Sequence, residues 1–469
     1  MAQSNTATRT EHDLIGNKEI PSDAYYGVQT ARGMENFKIS GVPISHYPDL
    51  VRAFAMIKLA AARANHDVGQ LPGDILKAIE AACNDIIEGQ LHDQFMLDVY
   101  QGGAGTSTNM NANEVIANRA LEHMGKQKGE YKHCDSHDHV NMSQSTNDAY
   151  PSALHLAMAL SNTRLIAEMK NLTASFRKKG KEFANILKMA RTQLQDAVPM
   201  TLGQEFDAWA GSLEDEIAAL ERVENVLHEV NMGGTAIGTG LNAPKGFSEK
   251  CVKHLAQISG KPMKLAGNLI EATQDTQAFV LYASVLKSLA IKLSKVCNDL
   301  RLLSSGPRAG LSEFHLPAMQ PGSSIMPGKV NPVIPEVVNQ VCYRVIGNDL
   351  VVTLAAEAGQ LQLNAMEPVI AACILESQML FMNAAKTLRE HCIDGINANE
   401  KVCKHYIETS IGIVTALNPV IGYDKSTELA AEALKSGKGI VELVREKKLL
   451  SEDQLQKVLD PQAMTGART

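Results

Sequence analysis

The sequence predicts a mainly α-helical chain, and three observations carry that expectation. Aromatic residues make up only 4% of the 469 residues, with a single tryptophan. Sheet faces favour aromatic and β-branched side chains, whereas the alanine, leucine, valine and methionine that abound here suit interdigitating helices. Five stretches, 152–189, 203–231, 273–305, 335–360 and 368–396, run long with few glycine or proline breakers. Within the second, Phe206, Trp209, Leu213, Ile217, Leu220, Val223, Leu227 and Val230 recur at spacings of three and four, which is one face of a helix of about six turns.

Taken in order, the segments predict three domains. Up to about Thr146, short helical patterns alternate with turns rich in glycine and asparagine, including Gly102-Gly103-Ala104-Gly105 and the polar tract 133–147. Residues 1–146 therefore read as an irregular, mixed helical domain. Each of the five long segments exceeds the ordinary helix of about 11–12 residues, so 147–401 reads as an extended bundle. Gly233-Gly234 and Gly238–Gly240, followed by Pro244, mark a turn after its second helix, and 306–335 is a breaker-rich connection after its third. Beyond Lys401 shorter amphipathic pieces, separated by Asn418-Pro419, Gly422 and Gly437, predict a small helical domain, 402–469.

Composition narrows the function. The balance of 45 Lys and Arg against 52 Asp and Glu, a net charge of −7, leaves no footprint for nucleic acid or an anionic membrane. Partners are expected to be small molecules or copies of the same chain. The eight cysteines are dispersed, none in a C-x-x-C pair, and several lie in apolar runs such as Lys295–Leu302 and Val369–Leu375. That pattern predicts buried reduced thiols and a cytoplasmic setting. The polar stretch Met1–Asp13 lacks the apolar core of a secretion signal, and no uncharged run reaches eighteen residues, so neither export nor membrane spanning is expected.

Four polar segments are candidates for chemistry. Gly322–Pro332 sets two hydroxyls, Ser323 and Ser324, and a cation, Lys329, in a loop rich in exposed backbone N–H groups. Gly102–Asn109 is a glycine turn delivering hydroxyls and an amide, but it has neither dinucleotide nor P-loop spacing. Ser143–Asp148 and Arg191–Asp196 cluster neutral donors suited to a carboxylate or oxyanion rather than a metal. For these last three, helix capping is the competing explanation. The tract His133, Cys134, Asp135, His137, Asp138 and His139 lacks zinc-site spacing and reads as a solvated turn. No G-x-S-x-G, H-E-x-x-H or C-x-x-C pattern occurs, which removes the matching hydrolase, zincin and redox classes.

Together these segments resemble the aspartase/fumarase superfamily, whose signature is similar to Gly322-Ser323-Ser324-Ile325-Met326-Pro327-Gly328-Lys329-Val330-Asn331-Pro332. The resemblance runs from Ile20–Gly27 through Gly102–Asn109, Ser145–Asp148 and the signature to Ser410–Thr415. Asn331–Gln340 and Glu357–Pro368 resemble the ammonia-eliminating branch. Gln193 stands where fumarases of this type typically carry His, as some ammonia-eliminating members also do. The resemblance implies an L-aspartase-like fold of three domains, with long helices from four chains forming the core of a homotetramer and sites built from three chains. It implies reversible anti elimination of ammonia from L-aspartate to give fumarate. The alternatives are fumarase-type hydration to malate and a catalytically silent structural protein on the same scaffold.

The resemblance also assigns roles. Ser323 is implied as the general base. Thr106, Ser145 and Thr146, with backbone N–H groups of the loop from Ser323 through Ser324 to Met326, are implied to clamp the β-carboxylate. Lys329 and Asn331 are implied for the α-carboxylate, and Asn147, Thr192 and Gln193 for the departing amine. Such a set answers the chemistry, because removing a proton beside the β-carboxylate makes an aci-carboxylate that only preorganised donors can stabilise. No cofactor and no metal ligand are implied, and activation by a divalent cation such as Mg2+ is left open.

Overall fold

The computed structural model describes residues 7–465, so the polar first six residues and the last four lie outside it. The chain is mainly α. In chain order it forms β1 (Thr8–Asp13), β2 (Gly16–Pro21), α1 (Val28–Asn36), α2 (Pro48–Asp67), α3 (Gly73–Ile87), α4 (Thr106–His123) and α5 (Thr146–Glu182). There follow β3 (Leu187–Thr192), β4 (Gln195–Thr201), α6 (Leu202–Val223), α7 (Phe247–Ser259), α8 (Leu269–Gln274), α9 (Gln277–Leu303), α10 (Val333–Glu357) and α11 (Glu367–His391). Five short helices, α12 (Glu400–Thr409), α13 (Val414–Ile421), α14 (Tyr423–Ser436), α15 (Ile440–Glu446) and α16 (Glu452–Val458), precede the C-terminal end. Among the described residues, strands occur only in two-stranded pairs.

All five long segments are helices, with shifted ends. The first starts at Thr146 and carries Pro151 inside it, then stops at Glu182 because the chain turns into the β3–β4 hairpin. The second ends at Val223, where a 3-10 turn, Glu224–His228, takes over, although Leu227 and Val230 stay buried as the periodicity requires.

Two compact units are present, discontinuous in sequence, and they divide the chain differently from the three consecutive segments at 1–146, 147–401 and 402–469. The first takes Met1–Ile166, Ala219–Ser288 and Arg344–Leu380. Its centre is α2, where Leu50, Val51, Phe54, Ile57 and Leu59 are all buried, packed against α3, α4 and α7. The parts of α5, α9 and α11 in this unit are tied by buried polar contacts. Tyr282 donates its hydroxyl to Asn162 Oδ1 (2.8 Å), and Gln378 Nε2 donates to the Tyr282 oxygen (2.6 Å) and to Met158 O (2.9 Å).

The second unit takes Ala167–Ala218, Leu289–Tyr343 and Phe381–Thr469. Phe206 sits at the middle of its aromatic core, 4.9 Å from Trp209 and 5.9 Å from Phe314 between ring centroids. The short helices form a second core in which Ile413, Leu417, Leu443 and Val444 pack with Met189 of the hairpin. A buried ion cluster joins these parts. Lys188 Nζ lies 2.8 Å from Glu313 Oε2 and also pairs with Glu205, while Arg191 pairs with the other Glu313 oxygen. The guanidinium of Arg191 stands over the Tyr406 ring of α12 (5.2 Å). Glu313 thus anchors the start of the connection between α9 and α10 to the hairpin and to α12, whose Asn399 and Cys403 also donate to its carbonyl.

Apolar side chains remain outside. Tyr343, Leu350 and Leu354 form a stripe along α10, with Leu354 60% exposed. By length and composition one helical stretch among the described residues, Glu367–Gly395, is apolar enough to cross a membrane, and 67% of its most apolar window is buried within the chain. All eight cysteines are buried and unpaired.

Replacing Glu313 by Gln leaves two buried cations without a shared counter-charge. Removing one partner of a buried pair costs about 3–5 kcal/mol, so the denaturation midpoint of Glu313→Gln should fall accordingly with helicity retained. A change within about 0.5 kcal/mol would show that the cluster carries no stability.

Candidate active site

Thr106, Ser145, Thr146 and Asn147 all belong to the first unit, and each stands at a helix N-terminus. The glycine turn bends into α4 through Ala104 (φ +52°) and Gly105 (φ +86°), and Thr106 then donates its hydroxyl to Gly103 O (2.8 Å). No side chain fits at Gly105, since a Cβ there would lie 2.3 Å from the Tyr150 ring. The starts of α4 and α5 bring the positive ends of two helix dipoles here, a setting that favours a carboxylate.

A carboxylate already inside the protein fixes the second of these turns. Asp148 is fully buried and accepts from the backbone N–H of Ser145 (3.0 Å), Gly233 (3.0 Å) and Thr235 (2.9 Å). Burial pushes its carboxyl up to about 6, against the three amides and the Lys58 ammonium, which favour the anion. Asn147 Nδ2 donates to Ala236 O (2.7 Å), so the glycine-marked turn 233–240 closes over the start of α5. Ser145 Oγ accepts from Asn147 N (3.2 Å). The Thr106 and Thr146 segments meet through Asn109, one turn along α4, whose Nδ2 donates to Thr146 Oγ1 (3.1 Å).

Thr192, Gln193, Ser323, Ser324, Met326, Lys329 and Asn331 belong to the second unit. Thr192 ends β3, and Gln193 with Leu194 forms the two-residue turn to β4, both at positive φ (54° and 64°). That backbone matches the twist of a tight hairpin but is costly for residues other than Gly or Asn, so the tip is held by its strands. Gln193 is exposed at that tip.

The signature loop is closed at its base. Gly322 N donates to Lys329 O (2.7 Å), and Asn331 Nδ2 donates to Gly322 O (2.8 Å). A Cβ on Gly322 would come within 2.8 Å of the Asn331 nitrogen and the Lys329 oxygen, which explains glycine there. Ser323 Oγ accepts from the backbone N–H of Ile325 (3.2 Å) and Met326 (3.0 Å), whereas Ser324 is exposed. Two amides aimed at one hydroxyl oxygen favour its deprotonated form. Lys329 and Asn331, with Arg301, Ser304, His315 and Glu336, line a cavity of about 730 Å³ whose cationic and hydroxyl groups suit an anion.

Residues 16–347 match the lyase family, and residues 413–466 match the C-terminal family of fumarase C. A Pseudomonas aeruginosa protein named aspartate ammonia-lyase is 59% identical over 463 residues, covering 98% of each chain. The chain belongs to the aspartase/fumarase superfamily. Among solved members, a Brucella melitensis protein described as fumarate lyase:delta crystallin, bound to cobalt, is similar at 56% identity with a TM-score of 0.93, covering 97% of this chain and 99% of its own. A class II fumarase from Schistosoma mansoni is similar at 34% identity with a TM-score of 0.90, covering 99% and 100%.

Some residues of this superfamily member escape a reading of sequence patterns. Lys58 lies within the apolar run Phe54–Ala62 and is fully buried beneath Asn109; its only signal is a charge where the helix face is otherwise apolar. Arg301 and His315 reach the cavity from segments that no motif marks. In the tract 133–139 the chain enters a π-helical turn, Ser136–Val140, exposed at His137 and Asp138 and capped by Asp135, which accepts from His137 N and Asp138 N, with Cys134 buried beside it. Among the described residues no three His, Cys, Asp or Glu side chains converge as a metal site.

Proposed function

We propose that the chain is a carbon–nitrogen lyase that deaminates L-aspartate reversibly to fumarate and ammonia. The observation that carries this reading is the likeness, over nearly the whole chain, to an aspartate ammonia-lyase at 59% identity, against 34% to a class II fumarase. Each unit by itself supports it, because a dicarboxylate calls for two anion-binding ends and a base, and the first unit offers two helix N-termini while the second offers Lys329, Asn331 and Ser323. Thr106, Ser145 and Thr146 bind the β-carboxylate at the two helix N-termini. Lys329 and Asn331 bind the α-carboxylate, and Asn147, Thr192 and Gln193 hold the amine. Ser323, deprotonated, takes the proton from the carbon beside the β-carboxylate. The charge passes into that carboxylate as an aci-carboxylate, and its return to the carbon skeleton expels ammonia from the opposite face. Side chains and amides of this chain carry the proposed step without a cofactor, and assay with and without Mg2+ tests activation by that ion.

This reading requires the loop to reorganise. Asn331 Nδ2 is engaged by Gly322 O, and the Ile325 and Met326 amides by Ser323. Ile325, Met326 and Val330 point largely into solvent, with Ile325 83% exposed, which is costly unless the loop folds over something. Closure on a dicarboxylate would cover them, exclude water and free Asn331 for the substrate.

We further propose a homotetramer in which sites are shared between chains. The exposed stripe Tyr343, Leu350 and Leu354 on α10 supports it, since a helix apolar on more than one side needs a partner. Eight buried unpaired thiols support a cytoplasmic setting.

The decisive assay supplies L-aspartate and follows fumarate, then supplies fumarate with and without ammonium. L-Aspartate should form only with ammonium, and malate from fumarate alone at a comparable rate would overturn the reading. Ser323→Ala should keep the fold and lower turnover by about 10²–10⁴, as removal of a general base does; near-parental activity would move the base elsewhere. Shared sites are tested by unfolding, mixing and refolding two inactive variants, Thr146→Ala and Ser323→Ala. Activity should return in the mixture and not in either variant refolded alone. Mixed assemblies, verified by mass, that stay as inactive as their parents would show that both residues come from one chain.

A further inference from the structure

Beneath Thr146 lies a buried amine whose hydrogen-bond partners are neutral amides. Lys58 of α2 is 0% exposed, and its ammonium donates to three amide oxygens: Asn109 Oδ1 (2.7 Å), Asn141 Oδ1 (2.9 Å) and Gln144 Oε1 (2.9 Å). Burial pulls its pKa down to about 7, opposed by the charge of Asp148, with the thiols of Cys83 and Cys251 also facing it. A lone buried ammonium is among the costliest groups a fold can hold, and apolar packing would serve stability better.

What the ammonium supplies is direction. In its charged form it has donors and no acceptor, and each of the three amides turns its oxygen toward it. Asn109 is then left with only Nδ2 for its other neighbours, and this nitrogen donates to Asn141 Oδ1 (3.1 Å) and to Thr146 Oγ1 (3.1 Å). Asn141 Oδ1 is held in the same sense by Asn113 Nδ2 (3.2 Å). Thr146 therefore accepts from the protein, and its single hydroxyl proton is free to be donated. Were the Asn109 amide reversed, Thr146 would spend that proton on Asn109, and a lone pair would face an incoming carboxylate.

We propose that Lys58 is a positioning residue for the elimination: through Asn109 it aims the hydroxyl proton of Thr146 at the substrate's β-carboxylate. The inference rests on the reading of Thr146 as a β-carboxylate donor. It accounts for a buried charge that stability does not need, and for three side-chain amides converging on one nitrogen from α4 and the segment before α5.

Asn109→Asp tests it without emptying the site. An aspartate keeps the oxygen that faces Lys58 and adds a charge that pairs with it, which offsets the lost N–H to Asn141, but it has no N–H for Thr146, which must now donate to it. The expected result is an assembled protein with a denaturation midpoint at or above the parent's. Its kcat should be lower by about 10²-fold, the loss typical of one oxyanion donor, with KM changed far less. Thr146→Val should show a similar loss, and Asn109→Asp combined with Thr146→Val should be no slower than Thr146→Val alone, because both act on one donor. Lys58→Met should fall in the same non-additive class; if it does not fold, the Asn109 and Thr146 set decides. An impaired Thr146→Val beside a fully active Asn109→Asp, or losses that multiply in the double variant, would overturn the inference alone. An unimpaired Thr146→Val would overturn it together with the reading of Thr146.

Discussion

Two charges shut away from water, the Lys58 ammonium and the Asp148 carboxylate, hold the polar floor at the starts of α4 and α5. Asp148 gathers three backbone amides from two separate turns, and Lys58 gathers three side-chain oxygens. Each charge is unaffordable alone in an apolar interior and tolerable only while its ring of dipoles stays in place. The floor is consequently stiff, since moving any member exposes a buried charge to unmatched surroundings. Stiffness of this kind is what stabilisation of a transient carbanion demands, because donors that must reorient during the reaction give back most of what they contribute.

The signature loop is built on the opposite principle. Its internal contacts are few and close its base, Gly322 to Lys329 and Asn331 to Gly322, while its crown keeps apolar side chains in water. The Glu313 cluster pins the segment where the loop begins. One end is therefore fixed to the hairpin that bears Thr192 and Gln193, and the crown is left to move. On the proposed reading, each unit meets a different demand of a small dicarboxylate: specificity from immobile donors in one, exclusion of water from a mobile loop in the other.

Much of this was legible in the sequence, for identifiable reasons. The five long helices showed because breakers are few in them, and their buried faces because spacing sets which side chains point inward. The β3–β4 hairpin was hidden because its turn uses Gln193 and Leu194 at positive φ, with none of the Asn-Gly or Gly-Gly chemistry that announces such turns. The first long stretch, read as 152–189, begins earlier, at Thr146, with Pro151 inside the helix. The polar site segments were visible because glycines flank them, but spacing could not prefer Ser323 over Ser324, since a loop's backbone decides which hydroxyl meets its amides, and here Ser323 Oγ accepts two of them. Lys58 was invisible for a different reason. A lysine in an apolar run ordinarily snorkels to solvent, and its partners are scattered over three positions that no motif joins.

On the proposed reading, a serine can serve as base because its loop is open before substrate binds. An alkoxide is far too basic to persist in water, and the Ile325 and Met326 amides, at 3.0 and 3.2 Å and open to solvent, cannot hold it there alone. When water leaves, the same two dipoles and any nearby cation act at lower dielectric and weigh several times more. On the proposed reading, closure over the dicarboxylate both completes the anion-binding end and makes the base strong enough to use. The open protein thus carries no exposed strong base, and the substrate, by drawing the crown down, brings about the conditions for its own deprotonation.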